Sequence, residues 1–243
     1  MMHGMAPKSS SNDPRTATAF RINGVDLHVP EGLATPEIIE KLSTGTYEAD
    51  EARAADRCVK PGFRVLELGA GLGYVTTLAA QRTAPENVLS VEANPALLPV
   101  IEANLARNGC NGVTLLHGAV SGAAEEGETA SFHISNGFTG SRLGAQGGRQ
   151  VEVPLIGFHE LIRAHRPHVV LMDVEGAEAG FFDRHWKCPL RFCAMELHPR
   201  QYGPSVIKKI VDTMSAMGMT YDPVVSSRKI LGFRKVWGSD EAE

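Results

Sequence analysis

The sequence predicts an α/β fold, with a mostly parallel sheet, helices on both faces and an antiparallel last strand. Three observations carry this expectation. From Phe63 onward, segments of β type and α type alternate, the pattern of parallel strands joined by crossover helices. The apolar run Val65, Leu66 and Leu68 passes straight into Gly69-Ala70-Gly71-Leu72-Gly73 and then into a helix from Tyr74. The next strand, Val88–Glu92, ends in an acid about 20 residues or a little more past that turn, as two adjacent strands of a ligand cradle require. Glycine lets a backbone pass close to a bound molecule, and the free N–H groups of a helix start favour a polar or anionic ligand group.

At 243 residues the chain can bury one good core with a small N-terminal addition. The expected division is a disordered tail over 1–17, a hairpin and helical cap over 18–60, and the α/β domain over 61–243. A net charge of −4 provides no global basic field for nucleic acid. No apolar run reaches the roughly 20 residues that span a bilayer, and the N-terminus lacks the apolar stretch of a signal peptide, which predicts a cytoplasmic location. Four cysteines without a CxxC pair argue for reduced, buried thiols instead of zinc or a redox dithiol. The nine histidines show no metal-ligand spacing.

Taken in order, residues up to Ala17 are rich in Ser, Asn and Pro and read as disordered. Two β-type runs, Phe20–Ile22 and Val25–Val29, flank Asn23-Gly24, a strong hairpin signal. Thr35-Pro36 opens a helix with Thr35 as its N-cap, placing Ile38, Ile39 and Leu42 on one face up to Gly45. A second helix runs from about Glu48 through Ala52, Ala55 and Cys58 to Lys60-Pro61-Gly62. Strand Phe63–Leu68 and helix Tyr74–Arg82 follow, then strand Val88–Glu92 and a helix from Pro95 to Asn108, stopped by Gly109. Strand Val113–His117 leads into an irregular section with strands near Ala130–Ile134 and Gln150–Val153. Strands Val169–Asp173 and Phe192–Leu197, helix Pro204–Met217, and strands near Thr220–Asp222 and Ile230–Val236 complete the chain. This order fits a Rossmann-like fold.

In an open α/β sheet the ligand lies beyond the carboxyl ends of the strands, so these ends carry the chemistry. The glycines fall as GxGxG and not as the GxGxxG of a dinucleotide site, and Glu67 precedes them. An acid there is awkward beside a pyrophosphate but suits a cationic or hydroxyl-bearing ligand, which points away from NAD and toward S-adenosylmethionine. Glu92, heading Glu92-Ala93-Asn94-Pro95, can accept hydrogen bonds from both ribose hydroxyls; the alternative is an acid favoured at a helix N-terminus. Ala119 and Val120, past the third strand, can pack on an adenine face. The fourth strand runs into Asp173, Glu175, Gly176 and Glu178, with Asp173 and Glu175 aimed into the cleft and Glu178 suited to a helix N-terminus. Alternation puts Glu196 and His198 on one side of the fifth strand. His198 is the general-base candidate, set against a role in merely capping a loop.

With ELGAGLGYVT, EANP, GAVS, LMDVEGAE and MELHP in this order, the sequence resembles the FkbM family of S-adenosylmethionine-dependent methyltransferases over Thr44–Phe233. It departs from the family's usual acid before the glycine turn, Asp, by having Glu67. The resemblance implies methyl transfer, usually to a hydroxyl on a natural product, sugar or lipid-linked glycan. It also implies that Glu67, Gly69, Gly71, Glu92, Asn94, Ala119 and Val120 line the cofactor site and that Asp173 borders the reaction centre. Tyr47 and Glu48 look similar to a segment that closes over the methionine end, where Glu48 would meet the ammonium, with a helix-start role as the alternative. Metal-dependent methyltransferases of the catechol type add an Asp-Asn pair where this chain has His198-Pro199, so no metal is expected. The segment Ser135–Arg142 is the expected substrate-facing loop, with Phe138 and Arg142 as contacts or as ordinary loop residues. A small-molecule or glycan acceptor and a homodimer complete the expectation. The alternatives are an N- or nucleic-acid methyltransferase, or an inactive cofactor-binding scaffold.

Overall fold

A computed structural model describes residues 17–125, 127–135, 140–143 and 149–236. All of the expected disordered tail except Ala17 lies outside the described residues. Strands β1 (Ala17–Ile22) and β2 (Val25–Pro30) form the expected antiparallel hairpin. Both Asn23 and Gly24 take positive φ, 48° and 83°, the backbone twist that a two-residue hairpin turn requires. In helix α1 (Pro36–Thr44) the Thr35 hydroxyl accepts the Ile38 N–H, and Gly45 closes the other end at φ 70°. Helix α2 (Ala49–Cys58) buries Ala52, Ala54, Ala55 and Cys58, small residues that let it lie close to the sheet.

The α/β unit then runs β3 (Val65–Leu68), α3 (Tyr74–Arg82), β4 (Val88–Glu92), α4 (Leu98–Arg107) and β5 (Thr114–His117). After it come β6 (Ala119–Ser121), β7 (Thr129–Ile134), β8 (Arg142–Leu143), β9 (Arg149–Gly157) and α5 (Phe158–His165). The chain continues with β10 (Val169–Met172), a single 3₁₀ turn (Ala177–Gly180), β11 (Phe192–Glu196), α6 (Pro204–Ala216), β12 (Met219–Tyr221) and β13 (Ile230–Lys235).

The seven-stranded sheet has the order β12-β13-β11-β10-β3-β4-β5. Strands β3, β4, β5, β10 and β11 are parallel, and β13, the last in the chain, runs antiparallel to β11. From β3 the chain moves outward through β4 and β5, then returns to the other side of β3 as β10. The switch point therefore lies between β3 and β10, and a ligand crevice opens above it. Every residue of β3 and β10 is buried, as central strands covered on both faces must be. One face packs under the hairpin and α1 to α4, through residues such as Leu27, Ala55, Leu72 and Ile101. The other face packs under α5 and α6, where Phe158 stacks on Phe181 with ring centroids 4.3 Å apart.

Three elements differ from expectation. Helix α4 begins at Leu98, not Pro95, because the Asn94 side chain accepts the Ala96 N–H and its carbonyl the Leu97 N–H, holding a turn first. Helix α5 lies in the section expected to be irregular; Phe158, Leu161 and Ile162, its buried face, have the i, i+3, i+4 spacing of a helix. Beyond β5 the chain does not stay a loop. β6 leaves the main sheet and pairs in parallel with β9, in a four-stranded sheet of order β6-β9-β7-β8. Among the described residues no helix is long and apolar enough to cross a membrane.

Candidate active site

A cavity of about 440 Å³ opens at the carboxyl ends of the parallel strands, above the switch point. Its floor is the glycine turn. Gly69 sits at φ 92°, and a Cβ there would run into the Asp173 carbonyl, so this glycine lets β3 and β10 meet at their ends. Gly71 sits at φ 56°, where a Cβ would come within 2.8 Å of a Glu48 carboxylate oxygen and 3.0 Å of the Tyr47 hydroxyl.

Glu92 closes one end of the turn. Its Oε2 accepts the Gly71 N–H at 3.0 Å and its Oε1 accepts the Asn94 N–H at 2.7 Å. A carboxylate has about four acceptor sites, so each oxygen keeps capacity toward the cavity it lines. Burial pushes the Glu92 pKa up to about 7 against the pull of these N–H donors. Ala93, Ala119 and Val120 line the same end, together with Phe132 and Leu143 of the small sheet, and make an apolar slot.

Tyr47 and Glu48 come in from the cap. Glu48 stands at the start of α2 with φ 45° and makes no side-chain cap, so the helix-start alternative is not the one its carboxylate follows. The side chain turns into the cavity beside Gly71, and burial holds its pKa well above the usual carboxylate range. The Tyr47 hydroxyl is buried beside the Glu48 carboxylate.

Two expected cofactor residues need correction. Glu67 does not line the cavity. It is 3% exposed beneath the turn, where Thr76 and Ser90 donate their hydroxyls to one of its oxygens, so it braces β3, α3 and β4 from below. Asn94 is 2% exposed and spends its side chain on the Ala96 turn; it touches the site through the N–H it gives Glu92.

The opposite wall is acidic. Asp173, Glu175 and Glu196 line it from the ends of β10 and β11, and Glu51 joins them from α2. Sequence reasoning did not single out Glu51, because nothing in its spacing marks it apart from any exposed helical acid. Burial, with Glu196 next in importance, pushes the Asp173 pKa up to about 8. Glu51 is pushed up to about 7 by burial and by its hydrogen bond to Glu196. Lys229, just ahead of β13, holds Glu196 Oε1 at 2.9 Å.

His198 stands behind this wall and does not line the cavity. Its Nε2 faces Asp173 Oδ1 at 3.4 Å and Glu175 Oε2 at 3.3 Å, while Nδ1 faces Glu178 Oε1 at 3.1 Å. Although burial opposes its charge, these three carboxylates hold the ring up to about 9. Glu178 does not simply stand at a helix N-terminus as expected. It is 0% exposed and accepts the Tyr202 hydroxyl at 2.6 Å and the Gly176 N–H at 2.9 Å, so the ring it anchors is firmly oriented.

The expected substrate loop is described only in part. Phe138 lies outside the described residues, whereas Gly140, Ser141 and Arg142 line the cavity and the Gly140 N–H donates to Glu175 Oε1 at 2.9 Å.

Residues 67–221 match the model of the methyltransferase FkbM domain. Over 87 residues the chain is 38% identical to ribosomal protein L11 methyltransferase of Thermus thermophilus, an alignment spanning 34% of each protein. The chain thus spans about a third of the length of the curated relative it matches. Among solved structures, it is similar to precorrin-6y C5,15-methyltransferase from Geobacter metallireducens, with TM-score 0.47 and 16% identity over 85% of this chain and 95% of that one. It is also similar to a SAM-dependent O-methyltransferase from Thermotoga maritima, with TM-score 0.43 and 12% identity over 92% of this chain and 79% of that one. The family match covers more than half of the sequence and includes the glycine turn, Glu92 and, of the acidic wall, Asp173, Glu175 and Glu196; the chain belongs to the FkbM family of S-adenosylmethionine-dependent methyltransferases.

Proposed function

We propose that this protein transfers the methyl group of S-adenosylmethionine to a hydroxyl of a small molecule or glycan. The observation that carries the reading is the meeting of Gly69 with the Asp173 carbonyl, which sets the acidic wall directly against the turn where the cofactor would rest. Glu92 takes the two ribose hydroxyls, the slot at Ala93, Ala119 and Val120 takes the adenine, and Glu48 with Tyr47 takes the methionine end. The sulfonium methyl then faces Asp173 and Glu175.

The transfer is an in-line displacement. The acceptor oxygen forms a bond to the methyl carbon, the carbon–sulfur bond breaks, and its electron pair stays on sulfur to give S-adenosylhomocysteine. The protein's main contribution is to hold oxygen and methyl aligned at about 3–3.5 Å. The acceptor proton leaves to the carboxylates facing the cavity, Asp173 and Glu175, and His198 behind them is assigned as a positioning residue.

A second reading, methylation of an amino group on a protein, is favoured by the four carboxylates of the wall and by the local likeness to the L11 enzyme. Calorimetric titration with S-adenosylhomocysteine, with NAD as control, tests the cofactor. Micromolar binding of the first alone is expected, and binding of neither would sink the methyl-transfer reading. Transfer of labelled methyl to hydroxylated acceptors against lysine peptides then separates the two readings.

A further inference from the structure

We propose that the acidic wall is a divalent-cation site built from Asp173, Glu196 and His198, taking a hard ion such as Mg²⁺ or Mn²⁺. The three residues offer ligand atoms that all lie within 4.8 Å of one another, and they arrive from the ends of two neighbouring strands, β10 and β11. This departs from the expectation drawn from the sequence, which looked for an Asp-Asn pair after β11 and found His198-Pro199.

Two further observations point to an ion. The first is the state of the Asp173 carboxylate: Oδ1 is buried and accepts no hydrogen bond from the described residues. The second is the orientation of His198. A metal-ligating imidazole usually donates its other N–H to a carboxylate, which fixes the tautomer and aims the free nitrogen at the metal. Here Nδ1 meets Glu178, itself buried and anchored by Tyr202 and Gly176, and this leaves Nε2 aimed toward Asp173 and Glu175. Nε2 stands 3.4 and 3.3 Å from the two carboxylate oxygens without hydrogen-bonding either. Neighbouring ligand atoms on an ion with bonds of about 2.1 Å stand about 3 Å apart, so the three side chains would have to draw together from their present spread of up to 4.8 Å to surround one. Two carboxylates to one imidazole form a donor set for Mg²⁺ or Mn²⁺ better than for a thiolate-seeking metal.

The site also answers a difficulty in the transfer step. An acceptor hydroxyl that gives up its proton at this wall develops negative charge next to the ionised carboxylates among its acids. A divalent ion on that wall would polarise the acceptor oxygen and offset the repulsion, leaving Glu175 to take the proton. This role of the ion rests on the methyl-transfer reading, whereas the ion site itself does not. Lys229 is the resident competitor, since its ammonium holds one oxygen of Glu196. Its side chain is 58% exposed and free to swing away.

The test is Mn²⁺ binding to the full chain, read by the loss of the free-ion electron paramagnetic resonance signal, with Mg²⁺ as competitor. One ion per chain is expected, weakened at least tenfold by Glu196→Gln and tightened severalfold by Lys229→Ala. No saturable binding at millimolar Mn²⁺, or binding indifferent to both substitutions, overturns the proposal. Titrating the same proteins with S-adenosylhomocysteine reports on the fold of each variant. Cofactor binding without Mn²⁺ binding sinks only the ion site, and the reverse sinks only the methyl-transfer reading.

Discussion

Glu92 carries a proton balance that cofactor binding should disturb. Each of its oxygens accepts one backbone N–H, and burial lifts its pKa to about 7. Ribose hydroxyls donate to a carboxylate but not to both oxygens of a neutral acid, so the cofactor binds the ionised form. The raised pKa fixes the sign: affinity for S-adenosylhomocysteine should level off above pH 7 and fall by up to tenfold per unit below it, with proton uptake opposing binding. Titration at pH 6 and pH 8 checks this, and equal affinities would remove Glu92 from the ribose. Glu92→Ala should weaken binding at both pH values. The residue was legible in the sequence because a strand end at a fixed distance from a glycine turn leaves few alternatives. Glu67 was misplaced, and the part of Glu178 that anchors His198 was missed, for the opposite reason. Whether an acid near a strand end faces the cavity or lies buried behind it depends on partners such as Thr76, Ser90 and Tyr202, which come from other elements.

Among the elements, the turn between β3 and α3 separates stability from binding. A side chain at Gly69 would meet the backbone of Asp173, which cannot yield, and its φ of 92° is strained for any other residue. Gly71 is also at positive φ, but a side chain there would meet the ends of Glu48 and Tyr47. Gly71→Ala should therefore cost only about 1–3 kcal/mol of stability yet weaken S-adenosylhomocysteine binding strongly, since it displaces the carboxylate assigned to the methionine end. Gly69→Ala should unfold or nearly unfold the protein. Thermal melts with binding titrations distinguish the two, and an intact, fully binding Gly69→Ala protein would refute the close-approach argument. Strong local signals made the turn, the hairpin and helices α1 and α3 readable. β6 was not, because its three residues become a strand only by pairing with β9, more than thirty positions later. Helix α5 did carry a periodic signal, but it abuts β9 without a break: Gly157 ends the strand and serves as the helix N-cap.

At the scale of the whole molecule, the N-terminal hairpin is tied to the ligand cradle through one buried side chain. Asn104 of α4 is 0% exposed; its oxygen accepts the His28 N–H of β2 at 2.9 Å, and its nitrogen donates to the Leu72 carbonyl of the glycine turn at 3.0 Å. Asn108, one helical turn on, exchanges two hydrogen bonds with the backbone of Asp26, and Asn23 reaches the Tyr74 hydroxyl at 2.8 Å. Hairpin, α4 and turn are thus one hydrogen-bonded body, and the core around Leu27, Leu72 and Ile101 is shared among them. Asn104→Ala leaves the buried Leu72 carbonyl without this partner, at a cost of about 1–3 kcal/mol, frees the half-buried His28 N–H, and adds a small void. The expected result is a large drop in the urea midpoint with a single transition retained, because hairpin and sheet unfold together. Cofactor affinity should fall as well, since the Leu72 carbonyl that steadies the turn is released. A separate early transition, seen by a probe in the hairpin while the sheet remains folded, would mean that the cap is an appendage and that the cradle keeps its shape without it.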